Sequence, residues 1–315
     1  MRCVVTGVAG FIGSTLAERL IKDGHEVVGV DCFTDYYERS LKERNLEALR
    51  QTSSFSLKEI DLATADLAPV LDGAGVVFHQ AAQAGVRASW GATFASYVHH
   101  NVLGTQRVLE AVKGLGDAGP KRVVYASSSS VYGDTAEMPM RETAVPQPFS
   151  PYGVTKLAAE HLAELYRHNF GVSTASLRYF TVYGPRQRPD MGFHKFIKAT
   201  LEGKAIPKFG DGAQTRDFTF IDDAVEANVL AGFGKAEGVF NVGGGSRVTL
   251  NEVLGTLGEV MGKKILEDDQ GKQPGDVRDT FADPSRIKAA LGWAPKVALR
   301  EGLEREVSFL RDLYK

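Results

Sequence analysis

Arg2-Cys3-Val4-Val5-Thr6-Gly7-Val8-Ala9-Gly10-Phe11-Ile12-Gly13-Ser14-Thr15-Leu16-Ala17-Glu18-Arg19-Leu20-Ile21-Lys22-Asp23-Gly24-His25-Glu26-Val27-Val28-Gly29-Val30-Asp31 opens the chain. Residues 2–6 are a short apolar run rich in valine and read as a buried strand. A helix follows over 14–23, and Gly24-His25 stops it. Residues 26–30 form a second strand that ends at Asp31. Strand, glycine-rich turn, helix and strand within about 31 residues make the βαβ unit of a nucleotide-binding fold. The spacing is GxxGxxG. Gly7 makes the tight turn, Gly10 lets the backbone approach a pyrophosphate, and Gly13 lets helix and strand pack closely. Asp31 can accept hydrogen bonds from adenosine ribose hydroxyls. A 2'-phosphate there would meet a like charge, so NAD is favoured over NADP.

Outward from this unit the alternation continues. A helix is expected over 41–49, a third strand over 55–60 and a fourth over 76–79. Asp61-Leu62, an acid and an apolar residue at a strand end, can hold the adenine edge. Ala81-Ala82 would let the chain pass close under a cofactor. His79, at a strand end amid apolar residues, reads as structural. Residues 93–115 read as one long helix, with Gly104 permitting close packing. A fifth strand over 121–126 runs into Ser127-Ser128-Ser129-Ser130, where open α/β sheets bind ligands. Tyr152 and Lys156 lie four apart at the start of a helix over 152–165, which puts both on one face. A cation beside the phenol favours its ionised form, so Tyr152 can act as a base. In isolation the same spacing describes a buried Tyr and an exposed Lys. A sixth strand is expected over 173–178.

These elements predict an α/β fold, a doubly wound parallel sheet of Rossmann type with a smaller α/β C-terminal substrate lobe. The dinucleotide domain is placed at 1–180, with parts of 215–245 returning to it, and the second lobe at 181–315. Within that lobe, helices are expected over 193–202, 222–233, 250–261, 284–291 and 299–314. Strands are expected over 215–221 and 239–242, and a loop over 273–278.

The 315-residue chain is 43% hydrophobic and 24% charged, with a net charge of -2. Nothing there points to nucleic acid or an acidic membrane. No 18-residue apolar span and no signal-peptide pattern are present, and a cytoplasmic location is expected. Cys3 and Cys32 read as small core residues. No metal-ligand spacing appears, and no metal is expected.

With these pieces assembled, the chain resembles the extended short-chain dehydrogenase/reductase family, in particular its nucleotide-sugar epimerases and dehydratases. The resemblance covers essentially the whole length. It rests on Gly7, Gly10 and Gly13, Asp31, Asp61, Ala81-Ala82, the serines before Val131-Tyr132-Gly133, and Tyr152 with Lys156. In the second lobe it adds Arg178-Tyr179-Phe180, Arg216-Asp217, and Pro274-Gly275-Asp276-Val277 before Arg278. It implies NAD held by Gly7, Gly10, Phe11, Ile12, Gly13, Asp31, Asp61, Leu62, Ala81, Ala82, Tyr152, Lys156 and Tyr179. It implies Ser128 as catalytic hydroxyl, four residues before the Tyr of the VYG motif. Ser127 and Ser129 could assist, which leaves the register open. Tyr152 becomes the base that takes the proton of a sugar 4-hydroxyl. Lys156 would bind the nicotinamide ribose and lower the Tyr pKa. Arg216 and Arg278 match the family's pyrophosphate ligands, and Arg can hold phosphate bidentately.

The family's 4,6-dehydratases carry an Asp-Glu pair just after the catalytic hydroxyl, and its decarboxylases usually a Glu. Here Ser129 and Ser130 stand there, so elimination is disfavoured and hydride return to the other face of a 4-keto sugar remains. Thr181-Val182-Tyr183-Gly184-Pro185-Arg186-Gln187-Arg188-Pro189-Asp190-Met191 looks like the UDP-glucuronate 4-epimerase subgroup. That resemblance implies conversion of UDP-glucuronate to UDP-galacturonate. Arg188 is the first choice for the sugar carboxylate and Arg186 the second, with Thr181 and a serine of the 127–130 run adding hydrogen bonds. UDP-glucose/UDP-galactose 4-epimerase, UDP-glucuronate decarboxylase and a catalytically silent NAD-binding scaffold stay open as alternatives. Family members commonly dimerise through two helices per subunit, so a homodimer is expected.

Overall fold

The first seven residues already show how the main sheet is built. Cys3, Val4 and Val5 are fully buried and pair in parallel with Glu26–Asp31 on one side and Val76–His79 on the other. Such strands are apolar on both faces because helices cover both. In the computed structural model, which describes residues 1–135, 137–271 and 277–315, seven strands form this sheet. Their order is Gly238–Val242, Thr174–Tyr179, Arg122–Ser128, Val76–His79, Arg2–Thr6, Glu26–Asp31, Phe55–Glu59, and all neighbours are parallel. The doubly wound α/β fold is therefore as expected. The strand order reverses between Arg2–Thr6 and Val76–His79, and their carboxyl ends open the crevice where such sheets bind ligands.

Helices Phe11–Lys22 and Ile221–Phe233 pack together on one face. On the other, Gly104–Leu115 lies against Pro151–Phe170. The expected helix over 93–115 is present but not regular. Phe94–Tyr97 is α-helical, Val98–Leu103 widens into a π-helix, and Gly104–Leu115 resumes the α form. A Cβ at Gly104 would meet only ordinary contacts, at 3.7 and 3.8 Å, so tight packing is not its reason. The wide turn begins beside Asp61, to which His99 is hydrogen-bonded.

Beyond Tyr179 two small sheets appear. One joins Ser246–Thr249, Thr215–Phe220 and Val182–Tyr183, the other Glu267–Gln270 and Ile206–Phe209. Of these only Thr215–Phe220 was expected from the sequence. The expected loop residues Gln273–Asp276 lie outside the described residues. Among the described residues, no helix is long and apolar enough to cross a membrane.

Candidate active site

Gly7 closes the first strand with φ +66°, and a Cβ on it would lie 2.8 Å from the Ala81 backbone. The two strand ends flanking the reversal thus approach closer than any side chain allows. Around this point Gly7, Gly10, Phe11, Ile12, Gly13, Asp31, Asp61, Leu62, Ala81, Ala82, Tyr152, Lys156 and Tyr179 line one cleft, with Ser127 and Arg188 in the same wall. The Phe11–Lys22 helix begins at Gly10 without a side-chain cap, which leaves its first N–H groups for an anion. Asp31 accepts from Ala9 N at 3.0 Å and Phe33 N at 2.9 Å. Burial pushes its carboxyl up, and those two N–H donors and Lys42 oppose the rise. For Asp61, burial likewise works against the charge. The hydrogen bonds from His99 (2.7 Å) and Ala63 N (2.9 Å) outweigh it and hold Asp61 below the usual carboxylate range. Glycine turn, acid at the second strand end and acid at the third are the donor and acceptor set a dinucleotide requires, so these residues fit NAD.

The helix that bears Tyr152 and Lys156 is Pro151–Phe170, longer than expected. Ser150 caps it by accepting from Gly153 N at 3.1 Å, Pro151 occupies its first turn, and Gly171 ends it in the left-handed conformation. A Cβ on Gly153 would lie 2.5 Å from Ser130 O, so glycine lets this helix approach the serine turn. Tyr152, Lys156 and Glu160 follow at four-residue steps along it. Lys156 is buried, and its Nζ donates to Ala126 O at 2.7 Å. Loss of solvent brings its pKa down to about 7. Glu160 forms a buried ion pair with Arg178 (2.6 and 3.0 Å) and accepts from Ser127 Oγ at 2.6 Å. The Ser127 hydroxyl is thereby turned away toward Glu160. Ser128 ends the fifth strand, where its hydroxyl bears on the Tyr152 phenol, and accepts from Ser130 N at 3.1 Å. Of Ser127, Ser128 and Ser129, Ser128 is the one that acts on the Tyr152 phenol.

Burial raises the Tyr152 pKa, while the nearby Arg188 guanidinium and the Ser128 hydroxyl oppose the rise. Among the cations, Arg188 is the one that opposes the rise most. Arg188 pairs side-on with Asp190, Nε to Oδ1 at 2.9 Å and Nη2 to Oδ2 at 3.0 Å. Tyr36, on the loop after Asp31, donates to the same Oδ2 at 3.1 Å. Arg186 is drawn off to Glu18 (2.6 Å) and Ser14 (3.4 Å) on the first helix, away from the wall that Arg188 occupies. Thr181 and Ser129 are half-buried and hold their segments through main-chain carbonyls, to Thr219 N at 2.9 Å and Tyr132 N at 3.0 Å. Arg216 donates to the carbonyls of Arg278 (2.8 Å) and Val277 (2.6 Å), so the two expected phosphate ligands are neighbours. The exposed Arg278 stands 3.8 Å from Asp279.

His79 is structural, fully buried between Thr6 (2.8 Å) and Thr105 (3.0 Å), and burial holds it neutral with a pKa of about 3. Several wall residues were not foreseen: Tyr36, Lys42, Gln80 and, next to the wall, Asp190. Gln80 accepts from the Tyr179 hydroxyl at 3.2 Å, and that hydroxyl accepts from Asn228 at 2.8 Å. The signal for Asp190 was its place two residues after an arginine. Ligand-type atoms of Asp61, His99 and His100 lie within 4.8 Å of one another, a grouping that sequence spacing hid because it spans two elements.

A dinucleotide cleft at the reversal of a doubly wound sheet, lined by Tyr152 and Lys156 with Ser128 at the adjoining strand end, is the site of a nicotinamide-dependent enzyme that works on a hydroxyl-bearing carbon. The family model described as GDP-mannose 4,6 dehydratase matches residues 4–306, and the chain belongs to that family, whose members include the extended short-chain dehydrogenase/reductase epimerases. It is 39% identical to UDP-glucuronate 4-epimerase of Thermodesulfobacterium geofontis, covering 98% of this chain and 96% of that one. It is 43% identical to an uncharacterized UDP-glucose epimerase, YtcB, of Bacillus subtilis, over 100% and 99% of the two chains. Among solved structures it is similar to UDP-glucuronic acid 4-epimerase from Bacillus cereus in complex with UDP-glucuronic acid and NAD. There the identity is 42%, the TM-score 0.95 and the coverage complete for both chains.

Proposed function

We propose that this chain is an isomerase that interconverts UDP-glucuronate and UDP-galacturonate by transient oxidation at sugar C4. The observation that carries the reading is Arg188. It is a cation in the same wall as Tyr152 and the glycine turn, placed for a sugar whose C6 is a carboxylate. NAD, when bound, supplies the acceptor and later the donor of the C4 hydrogen. Gly7, Gly10 and Gly13 would hold its pyrophosphate, Asp31 its adenosine ribose, and Lys156 its second ribose. Tyr152 takes the proton of the 4-hydroxyl, with Ser128 sharing the hydrogen bond, and returns it after the 4-keto sugar has presented its other face. Ser129 and Ser130 offer no acid or base for loss of water. Arg216 and Arg278 would hold the diphosphate.

A second substrate, UDP-glucose, is favoured by the pairing of Arg188 with Asp190, which offsets the charge a neutral sugar would otherwise meet. A homodimer is proposed as well. Phe94, Val98, Leu103, Val154, Leu165 and Phe170 are exposed on the two helical segments that lie side by side, and a second copy would cover them. Incubation of the purified protein with UDP-glucuronate, UDP-glucose and dTDP-glucose, without added NAD, tests the main reading by NMR of the products. C4 inversion of UDP-glucuronate is expected. Loss of water or CO2 as the main outcome would overturn it.

A further inference from the structure

We propose that Asp190 sets the breadth of substrate use: by ion-pairing Arg188 it cancels the cation that would otherwise demand a carboxylate at sugar C6, and so admits neutral sugars beside uronic acids. The inference rests on reading Arg188 as the neighbour of that C6 group.

Arg188 offers five N–H donors, and Asp190 occupies Nε and one hydrogen of Nη2. The remaining edge, Nη1 with the second Nη2 hydrogen, is the width of one further carboxylate. Asp190 therefore need not leave for a substrate to bind. It stays and orients the guanidinium. Tyr36 secures it from the loop after Asp31, donating to Oδ2 at 3.1 Å. Burial works against the Asp190 charge, but Arg188 and Tyr36 outweigh it, and the carboxyl stays ionised. The phenols of Tyr36, Tyr37 and Tyr97, which also feel Arg188, all have pKa values above their ordinary one and remain neutral. The pair thus sums to zero charge in the wall next to Tyr152. A hydroxymethyl group meets no unpaired cation there. A uronate must share one guanidinium with a second anion, and the repulsion between the two carboxylates lowers its advantage.

The test uses the holoenzyme as purified and compares kcat/KM and Kd for UDP-glucuronate and UDP-glucose. Asp190→Asn removes the charge but keeps an acceptor for Nε. The ratio of kcat/KM for UDP-glucuronate over UDP-glucose is expected to rise on the order of tenfold or more, chiefly through KM. Asp190→Ser must move it the same way. In an Arg188→Met background, Asp190→Asn should leave the ratio unchanged, because the effect passes through Arg188. An unchanged or lower ratio in both Asp190 variants overturns the inference while leaving the proposed function intact. If Arg188→Met alone does not alter the ratio, or the wild type binds neither sugar, the underlying reading falls and the inference falls with it.

Discussion

Replacing Lys156 with Met should stabilise the cofactor-free protein at acid pH while abolishing activity. Lys156 is 3% exposed, and burial lowers its pKa from 10.5 to about 7. A shift of that size disfavours the charged form by roughly 5 kcal/mol. The Nζ to Ala126 O hydrogen bond at 2.7 Å would be lost, and an unpaired buried carbonyl costs about 1–3 kcal/mol. The difference leaves Lys156→Met more stable by about 2–4 kcal/mol below pH 7. Unfolding entropy of ~2.1 cal/mol/K per residue makes each kcal/mol worth about 1.5 °C in a chain this long, so Tm should rise about 3–6 °C. Because the folded pKa of this base lies below the unfolded one, the unfolded state binds more protons between about pH 7 and 10.5. The penalty in the wild type is therefore full below about pH 7 and fades as pH climbs toward 10.5. Near pH 9 the advantage of the variant should have nearly vanished. Calorimetry of both proteins, stripped of cofactor, at pH 6 and pH 9 reads this directly. A variant that melts below the wild type at pH 6, or by the same margin at both pH values, would refute a buried, strained ammonium.

Other outcomes follow from neighbouring contacts. Glu160→Gln should destabilise by about 3–5 kcal/mol, because Arg178 keeps its charge in a site where the pair is 3–4% exposed. The Tm should fall roughly 5–8 °C, and Glu160→Met with Arg178→Met should recover much of it. Tyr152→Phe should lose about three orders of magnitude or more in kcat, and Ser128→Ala about two. Ser127→Ala, whose hydroxyl serves Glu160, should instead show itself mainly in thermal melting. Arg188→Ala should lose UDP-glucuronate epimerisation and, without added NAD, release at most about one equivalent of CO2 and UDP-4-keto-pentose per site, the C4 hydride remaining on the cofactor as NADH. A 4-keto uronate is a β-keto acid, and without the clamp its C5–C6 bond can align with the carbonyl. Full retained activity on UDP-glucuronate would exclude that role.

Much of the site was legible because its pieces are local. Gly7, Gly10, Gly13 and Asp31 sit within one βαβ unit, and Tyr152 and Lys156 within one helical turn. The fold followed from the alternation of valine-rich strands with helices. What escaped depends on pairing across long stretches of chain. Ile206–Phe209 and Glu267–Gln270 are four residues each, and the second is wholly exposed, so neither carries a periodic apolar signal. The π-helical turn over Val98–Leu103 leaves no mark in composition. The partners of Lys156, Arg186 and Arg188 were equally hidden. A backbone carbonyl, Glu18 and Asp190 claim those cations, and only the folded geometry pairs them. The serine register was ambiguous in sequence because four serines follow one another. The ion pair of Glu160 with Arg178 separates them in space, since it takes the Ser127 hydroxyl and leaves Ser128 for Tyr152.

Transient oxidation at C4 can be followed atom by atom with UDP-glucuronate deuterated at that carbon. Turned over in ordinary water without added NAD, it should yield UDP-galacturonate that retains deuterium at C4, with no solvent hydrogen entering C5. Loss of the label, or inversion accompanied by exchange at C5, would contradict the chemistry assigned to Tyr152, Ser128 and Lys156.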